Sequence, residues 1–216
     1  MLGALIRNLR RRGTPQAAGP EPAVRRLHLG CGKTILQGWI NLDGRWLPGV
    51  DVVADLDRCR STALPFPDAS IDEFLGSHVL EHLRDPLALM QELHRIATPG
   101  AKAVFRVPHG ASDAADEDPT HVRRYYPNSF LYFSQLAYFR ADYGYTGDWE
   151  PERVVLAVGA SRHAGKSRAQ LIEEIQMMRN VALEITAVLR AVKPARVPGT
   201  KPPEAIKVEI QLVESQ

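Results

Sequence analysis

Leu27-His28-Leu29-Gly30-Cys31-Gly32, followed by Gly38-Trp39-Ile40-Asn41-Leu42-Asp43, decides the fold. The first segment is a short apolar strand running into two glycines. The second is another strand, closing on an acid. Glycines at 30 and 32 carry no Cβ, so the backbone there lets a ligand approach closely. A carboxylate at 43 can accept hydrogen bonds from both hydroxyls of a ribose. The dinucleotide fingerprint is not met, because Ile35 stands where its third glycine belongs and Asp43 lies only eleven residues past Gly32. A Gly-x-Gly alone reads as a turn, but with Asp43 ending the next strand it reads as a binding edge.

Outward from that edge the chain keeps one rhythm. Val50–Ala54 reads as a third strand ending at Asp55, and Ile71–Gly76 as a fourth ending at Ser77-His78. Asp85-Pro86 is a helix N-cap with proline at the first helical position. Leu89, Leu93 and Ile96 then form a helical stripe, stopped by Thr98-Pro99-Gly100. Ala101–Val107 is a fifth strand. Short strands ending in polar residues or glycine, with a helix between, indicate a parallel α/β sheet whose ligands bind beyond the strands' carboxyl ends.

Beyond Val107 the pattern weakens. Residues 109–128 form a long polar loop, and Pro127–Phe139 is aromatic-rich with a helical reading. Val154–Val158 is a candidate further strand, and Ser167–Arg179 reads as a helix. Val181–Leu189 and Ala205–Val213 read as two final strands paired antiparallel, completing a seven-stranded sheet.

Composition supports one α/β domain of ordinary size: 216 residues, 44% apolar and 24% charged, which excludes a disordered, collagenous or coiled-coil chain. No apolar run is long enough to span a bilayer. Two cysteines make no disulfide framework, so a reducing compartment, the cytoplasm, is expected. Residues 1–26 carry six Arg against one Glu, whereas residues 27–158 carry twelve basic and eighteen acidic residues. The acidic centre disfavours a nucleic-acid groove and suits a cationic ligand. Residues 1–23 read as a basic arm, solvated or in weak contact with a membrane surface. Residues 24–216 form the domain.

The motif order carries a resemblance. After the two opening segments come Leu64-Pro65-Phe66-Pro67-Asp68, Ser70-Ile71-Asp72, Ser77-His78-Val79-Leu80-Glu81-His82 and Thr98-Pro99-Gly100-Ala101. Over roughly residues 25–108 this order resembles the class I S-adenosylmethionine-dependent methyltransferases, in their small-molecule, type 11 branch. The resemblance implies a single Rossmann-like domain, with a mostly parallel seven-stranded sheet, an antiparallel C-terminal strand and S-adenosyl-L-methionine as cofactor. It implies that His28, Gly30, Cys31 and Gly32 lie against the methionine part of that cofactor and Asp43 holds its ribose. Asp55 and Leu56 would border the adenine, while Ser77 and His78 would face the sulfonium. The stretch between the first two strands is so short that the helix usual there is reduced to a turn.

The implied reaction is methylation of a hydroxyl or amine on a small molecule, sugar or cell-envelope or natural-product precursor. The acceptor would arrive over residues 109–150, where His109 and His121 are the candidate catalytic bases. The rival readings are a non-catalytic cofactor-binding subunit and a nicotinamide-dependent enzyme. Two segments tempt a metal reading, and neither is adopted. His78-Val79-Leu80-Glu81-His82 lacks the acid beside its first histidine that a zinc protease needs, and reads as a cofactor-side wall. Asp116, Asp118 and His121 read as a solvated acidic loop in which Asp118-Pro119 starts a turn. Arg123-Arg124-Tyr125-Tyr126 is too small a basic patch for nucleic acid, and reads as a lid or ordinary surface. Trp39, Phe66 and Phe74 are expected in the core. Whether the chain forms homo-oligomers is left open.

Overall fold

The computed structural model describes residues 24–139 and 143–214, so the basic arm lies outside the described residues. Strand β1 (Arg26–Leu29) leads through a turn into β2 (Ile40–Asp43), followed by β3 (Val52–Val53) and β4 (Ile71–Ser77). Helix α1 (Pro86–Ile96) leads directly into β5 (Ala97–Pro108), and α2 (Ala114–Glu117) follows in the loop beyond. Then come β6 (Trp149–Gly159), α3 (Ala160–His163), α4 (Arg168–Met177), β7 (Ala182–Ala191) and β8 (Val208–Val213).

All eight strands form one sheet, in the order β3-β2-β1-β4-β5-β7-β6-β8. β1 to β5 are mutually parallel, and β7 runs antiparallel to both β5 and β6. β8 pairs parallel to β6, so β7 is the one reversed strand. The sheet thus has one strand more than the seven expected. The two final strands do not pair with each other, because β6 lies between them. That misreading has a physical source: adjacency in sequence favours a hairpin, but the Pro-rich link of residues 193–203 carries the chain past β6 instead.

Helix α1 is set by its ends. The Asp85 side chain accepts from the Ala88 N–H at 3.1 Å, and Pro86 occupies the first turn, where its missing N–H costs nothing. Leu89, Leu93 and Ile96 have no solvent exposure, each contributing roughly 1.5–3 kcal/mol of burial. Trp149 at the start of β6 locks this helix to the sheet: its indole N–H donates to the Met90 carbonyl at 2.9 Å, and its ring meets Phe74 edge-on at 5.8 Å. Phe66 and Phe74 are buried as expected. Trp39 is only half-buried, with the Arg26 guanidinium 6.0 Å from its ring. Residues 127–139 form two 3₁₀ turns, Pro127–Phe133 and Gln135–Ala137, rather than an α-helix. The Asp148 carboxylate is fully buried beneath them, accepting from the backbone N–H groups of Gln135 and Arg196 and from the Arg196 guanidinium at 2.8 and 2.9 Å.

Candidate active site

The carboxyl ends of β1 to β5 lie along one edge of the sheet, and the residues singled out in the sequence lie beyond them. Gly30 (φ +58°) and Gly32 (φ +52°) both adopt left-handed backbone, which explains their residue type. They differ in what their missing side chains leave. A Cβ on Gly30 would fall 2.5 Å from Cγ2 of Val79, so this position is filled by the post-β4 segment. A Cβ on Gly32 would meet nothing within 4 Å. Beside that open space, the Gly32 N–H donates to Oδ2 of Asp43 at 2.8 Å, and the Arg45 N–H donates to Oδ1 at 3.0 Å. Each oxygen retains a lone pair for a further donor.

No helix forms between β1 and β2. The turn is instead tied through Asn41, whose side chain accepts from the Leu36 N–H at 2.9 Å and donates to the carbonyls of Leu36 and Trp39 at 3.1 Å. His28 is buried within β1 and donates from Nδ1 to Oδ1 of Asn41 at 3.3 Å, so it supports the turn from inside the sheet. Cys31 is also buried, and burial raises its thiol pKa. Asp55 caps a 3₁₀ turn, accepting from the Asp57 N–H at 3.0 Å, while Leu56 is buried in the core.

The ends of β4 and β5 are more densely bonded. Ser77 pairs with Arg106 at the end of their ladder, and His78 follows with a left-handed φ of +54°. Its ring lies between two acids, with Nε2 3.2 Å from Glu184 and Nδ1 3.0 Å from Glu81. Hydrogen bonds to Glu184 and then Glu81 push the His78 pKa up to about 9, so the ring is an imidazolium at neutral pH. Burial raises the Glu184 pKa, but bonds from His78 and Arg106 outweigh it and hold it low. Sequence reading missed Glu184, which lies on β7 outside every recognised motif, and gave Glu81 no role.

The two histidines beyond β5 are separated. His109 is buried, with its ring edge toward Tyr126, and its Nδ1 accepts from the Ala111 N–H at 3.2 Å. Burial lowers its pKa, so it is neutral, but its lone pair is already engaged. His121 instead packs against His82, ring centroids 4.7 Å apart. Its Nδ1 donates to the Ala115 carbonyl at 3.3 Å. The acids of this loop are largely occupied: Asp116 pairs with Arg124 and Arg179, and Asp118 accepts from Thr120. Arg123 lies along the surface, donating to the carbonyls of Leu83 and Arg84. Alongside runs a groove of about 610 Å³, with Tyr125, Tyr126, Tyr132 and Tyr143 in its wall.

An α/β sheet with one reversed strand, and a glycine-acid edge at the carboxyl ends of its first two strands, defines a Rossmann-like domain. Residues 27–105 match the family model described as methyltransferase domain. An uncharacterised methyltransferase of Mycobacterium sp. strain KMS is 35% identical over 95 residues, 44% of this chain and 31% of that protein. One from Mycolicibacterium gilvum is 47% identical over 48 residues, 22% of this chain and 19% of that protein. The alignments therefore span a third or less of these relatives' length. In fold, the chain is similar to an S-adenosylmethionine-dependent methyltransferase from Archaeoglobus fulgidus, with a TM-score of 0.52 and 19% identity over 77% of this chain and 86% of that one. Residues 27–105 are thus similar to a methyltransferase domain, and the fold is similar to that of an S-adenosylmethionine-dependent methyltransferase. No helix among the described residues is long and apolar enough to cross a membrane.

Proposed function

We propose that this chain transfers a methyl group from S-adenosyl-L-methionine to a hydroxyl or amine of a small molecule. The observation that carries the reading is the cradle at Gly32: open space where a Cβ would stand, next to a carboxylate already oriented by two backbone N–H groups. Asp43 would hold the ribose hydroxyls, and the backbone of residues 30–32 the methionine part, with Cys31 and His28 supporting it from below. Asp55 and the Leu56 backbone would border the base. Ser77 and His78 would face the reacting end, where Glu81 and Glu184 balance the charges of His78 and Arg106.

The cofactor supplies an electrophilic methyl on a sulfonium, so the protein's task is alignment and exclusion of water. The tyrosine-lined groove offers a small acceptor an apolar wall with polar tips. Deprotonation of a hydroxyl falls to the cluster around His121 rather than to His109, whose lone pair is engaged. Calorimetric titration of the full chain tests the cofactor reading: S-adenosylmethionine is expected to bind at one site, and NAD not to bind. A labelled-methyl assay across hydroxyl and amine acceptors then tests transfer. Binding of NAD in place of S-adenosylmethionine would overturn the reading.

A further inference from the structure

The two segments that each tempted a metal reading meet in space, and the residues that meet are neither of the sets read from sequence. Glu81 and His82, in the turn after β4, converge with His121 from the loop after β5, their ligating atoms all within 4.8 Å of one another. Donors on one ion at bond lengths of about 2.1 Å stand at most about 4.2 Å apart, so small side-chain movements close the set.

Three hydrogen-bonding details orient these groups. Thr120 Oγ1 lies 2.6 Å from Oδ1 of Asp118, which can only accept, so its single proton goes there. The hydroxyl oxygen then accepts from Nδ1 of His82 at 3.0 Å, fixing the tautomer that leaves a lone pair on Nε2. His121 donates from Nδ1 to the Ala115 carbonyl, so its Nε2 also bears the lone pair. Glu81 is 1% exposed. Its Oε1 is bonded to His78, while Oε2 is the one buried side-chain polar atom among the described residues without a partner. A buried, unpartnered carboxylate oxygen is costly and calls for a ligand. Imidazoles held through Nδ1 by carbonyl or hydroxyl oxygens are the usual outer support of metal-binding histidines.

We propose that Glu81, His82 and His121 bind one divalent transition-metal ion, leaving coordination positions open. Two imidazoles and one carboxylate favour zinc, manganese, iron(II), cobalt or nickel over magnesium and calcium, which prefer all-oxygen sites. Resting on the methyl-transfer reading, the ion deepens it: placed beyond β4 and β5, its open positions would take the acceptor's hydroxyl oxygen and lower that hydroxyl's pKa, so that the proton leaves to solvent and His121 acts through the ion it ligates. This selects oxygen acceptors over amines.

The test needs neither methyl donor nor acceptor, so its failure is distinct from failure of the methyltransferase reading. Metal-stripped full-length protein is titrated with cobalt(II), following its visible ligand-field bands, and then with zinc(II) as competitor. One equivalent is expected, with affinity reduced at least about tenfold in H82A and H121A and unchanged in H163A. The metal is also expected to raise the melting temperature of the parent protein and not of the H82A/H121A double variant. His82 and His121 lie outside the core, so these variants decide even where buried E81Q folds poorly. Parent-like affinity in the double variant, loss in H163A, or no saturable binding to the parent chain would overturn the proposal.

Discussion

The two halves of the binding edge are built differently. At β1 and β2, the proximal half, the groups proposed to face the ligand are backbone N–H groups and one carboxylate, held by glycines and by the Asn41 clamp. At β4 and β5, the distal half, they would be side chains, in a group of two acids, three histidines and an arginine drawn from four stretches of chain. The first half is a fixed surface that would suit any substrate of the same cofactor. The second varies with each side chain, as an acceptor-selecting wall must. Backbone chemistry leaves a legible trace in glycines and a strand-ending acid. A side-chain network is spread over the chain and leaves little.

The hardest test of this division removes a buried support at the opposite edge of the sheet, by the amino end of β6. Arg196→Ala strands the fully buried Asp148 carboxylate, with an expected loss of about 3–5 kcal/mol of stability. Chemical denaturation measures it, and at permissive temperature S-adenosylmethionine affinity is expected to stay unchanged. A matching loss of cofactor affinity would show that the binding edge depends on this opposite side of the sheet. Asp43→Ala acts on the proximal half. It is expected to weaken cofactor binding by about 1.5–3 kcal/mol, roughly 10–150-fold in dissociation constant, with the fold intact by circular dichroism.

The glycines sharpen the comparison further. Gly30→Ala and Gly32→Ala each incur about 1–2 kcal/mol for a left-handed alanine. Gly30→Ala also collides with Val79, and Val79→Ala as a second change is expected to recover part of its melting temperature. Gly32→Ala gains nothing from that second change, and its larger defect is in cofactor affinity. Equal rescue of both would show that Gly32 is also a packing residue.

The smallest effect is one of pH. Burial lowers the pKa of His94, against an opposing bond to the Val192 carbonyl. Below pH about 6.5 the unfolded chain takes up a proton that the folded chain resists. Stability is therefore expected to fall as pH drops through 6.5 toward the folded-state value, and His94→Gln to flatten part of that slope. His109 shifts in the same direction for the same reason, so some slope survives. A slope identical to the parent's would assign the whole effect to other groups.

The proximal half was readable because its signals are local. Asp85-Pro86 caps α1 as read, and the short connection between the first two strands is indeed a turn. Thr98-Pro99-Gly100 ends the helix, yet it lies inside β5, because the strand starts at Ala97 and absorbs the turn at the irregular register opposite Ile71. The C-terminal part of the chain was read in pieces. The helix read at Ser167–Arg179 spans Arg168–Met177 with Ser167 as its N-cap, and the strand seen at Val154–Val158 extends back to Trp149. Its pairing order could not be read, since nothing in an alternating strand says which neighbour it takes. The Glu81, His82 and His121 group escaped for a related reason: it joins residues about forty positions apart, and each local motif looked complete without the other.

The sheet also ends unequally on its two sides. On one flank β3 is two residues long, too short a row of free N–H and C=O groups for a foreign strand to join. On the other, β8 presents six residues and an outward Leu212. Strand recruitment, in misfolding or in deliberate fusion of a second module, is thus one-sided.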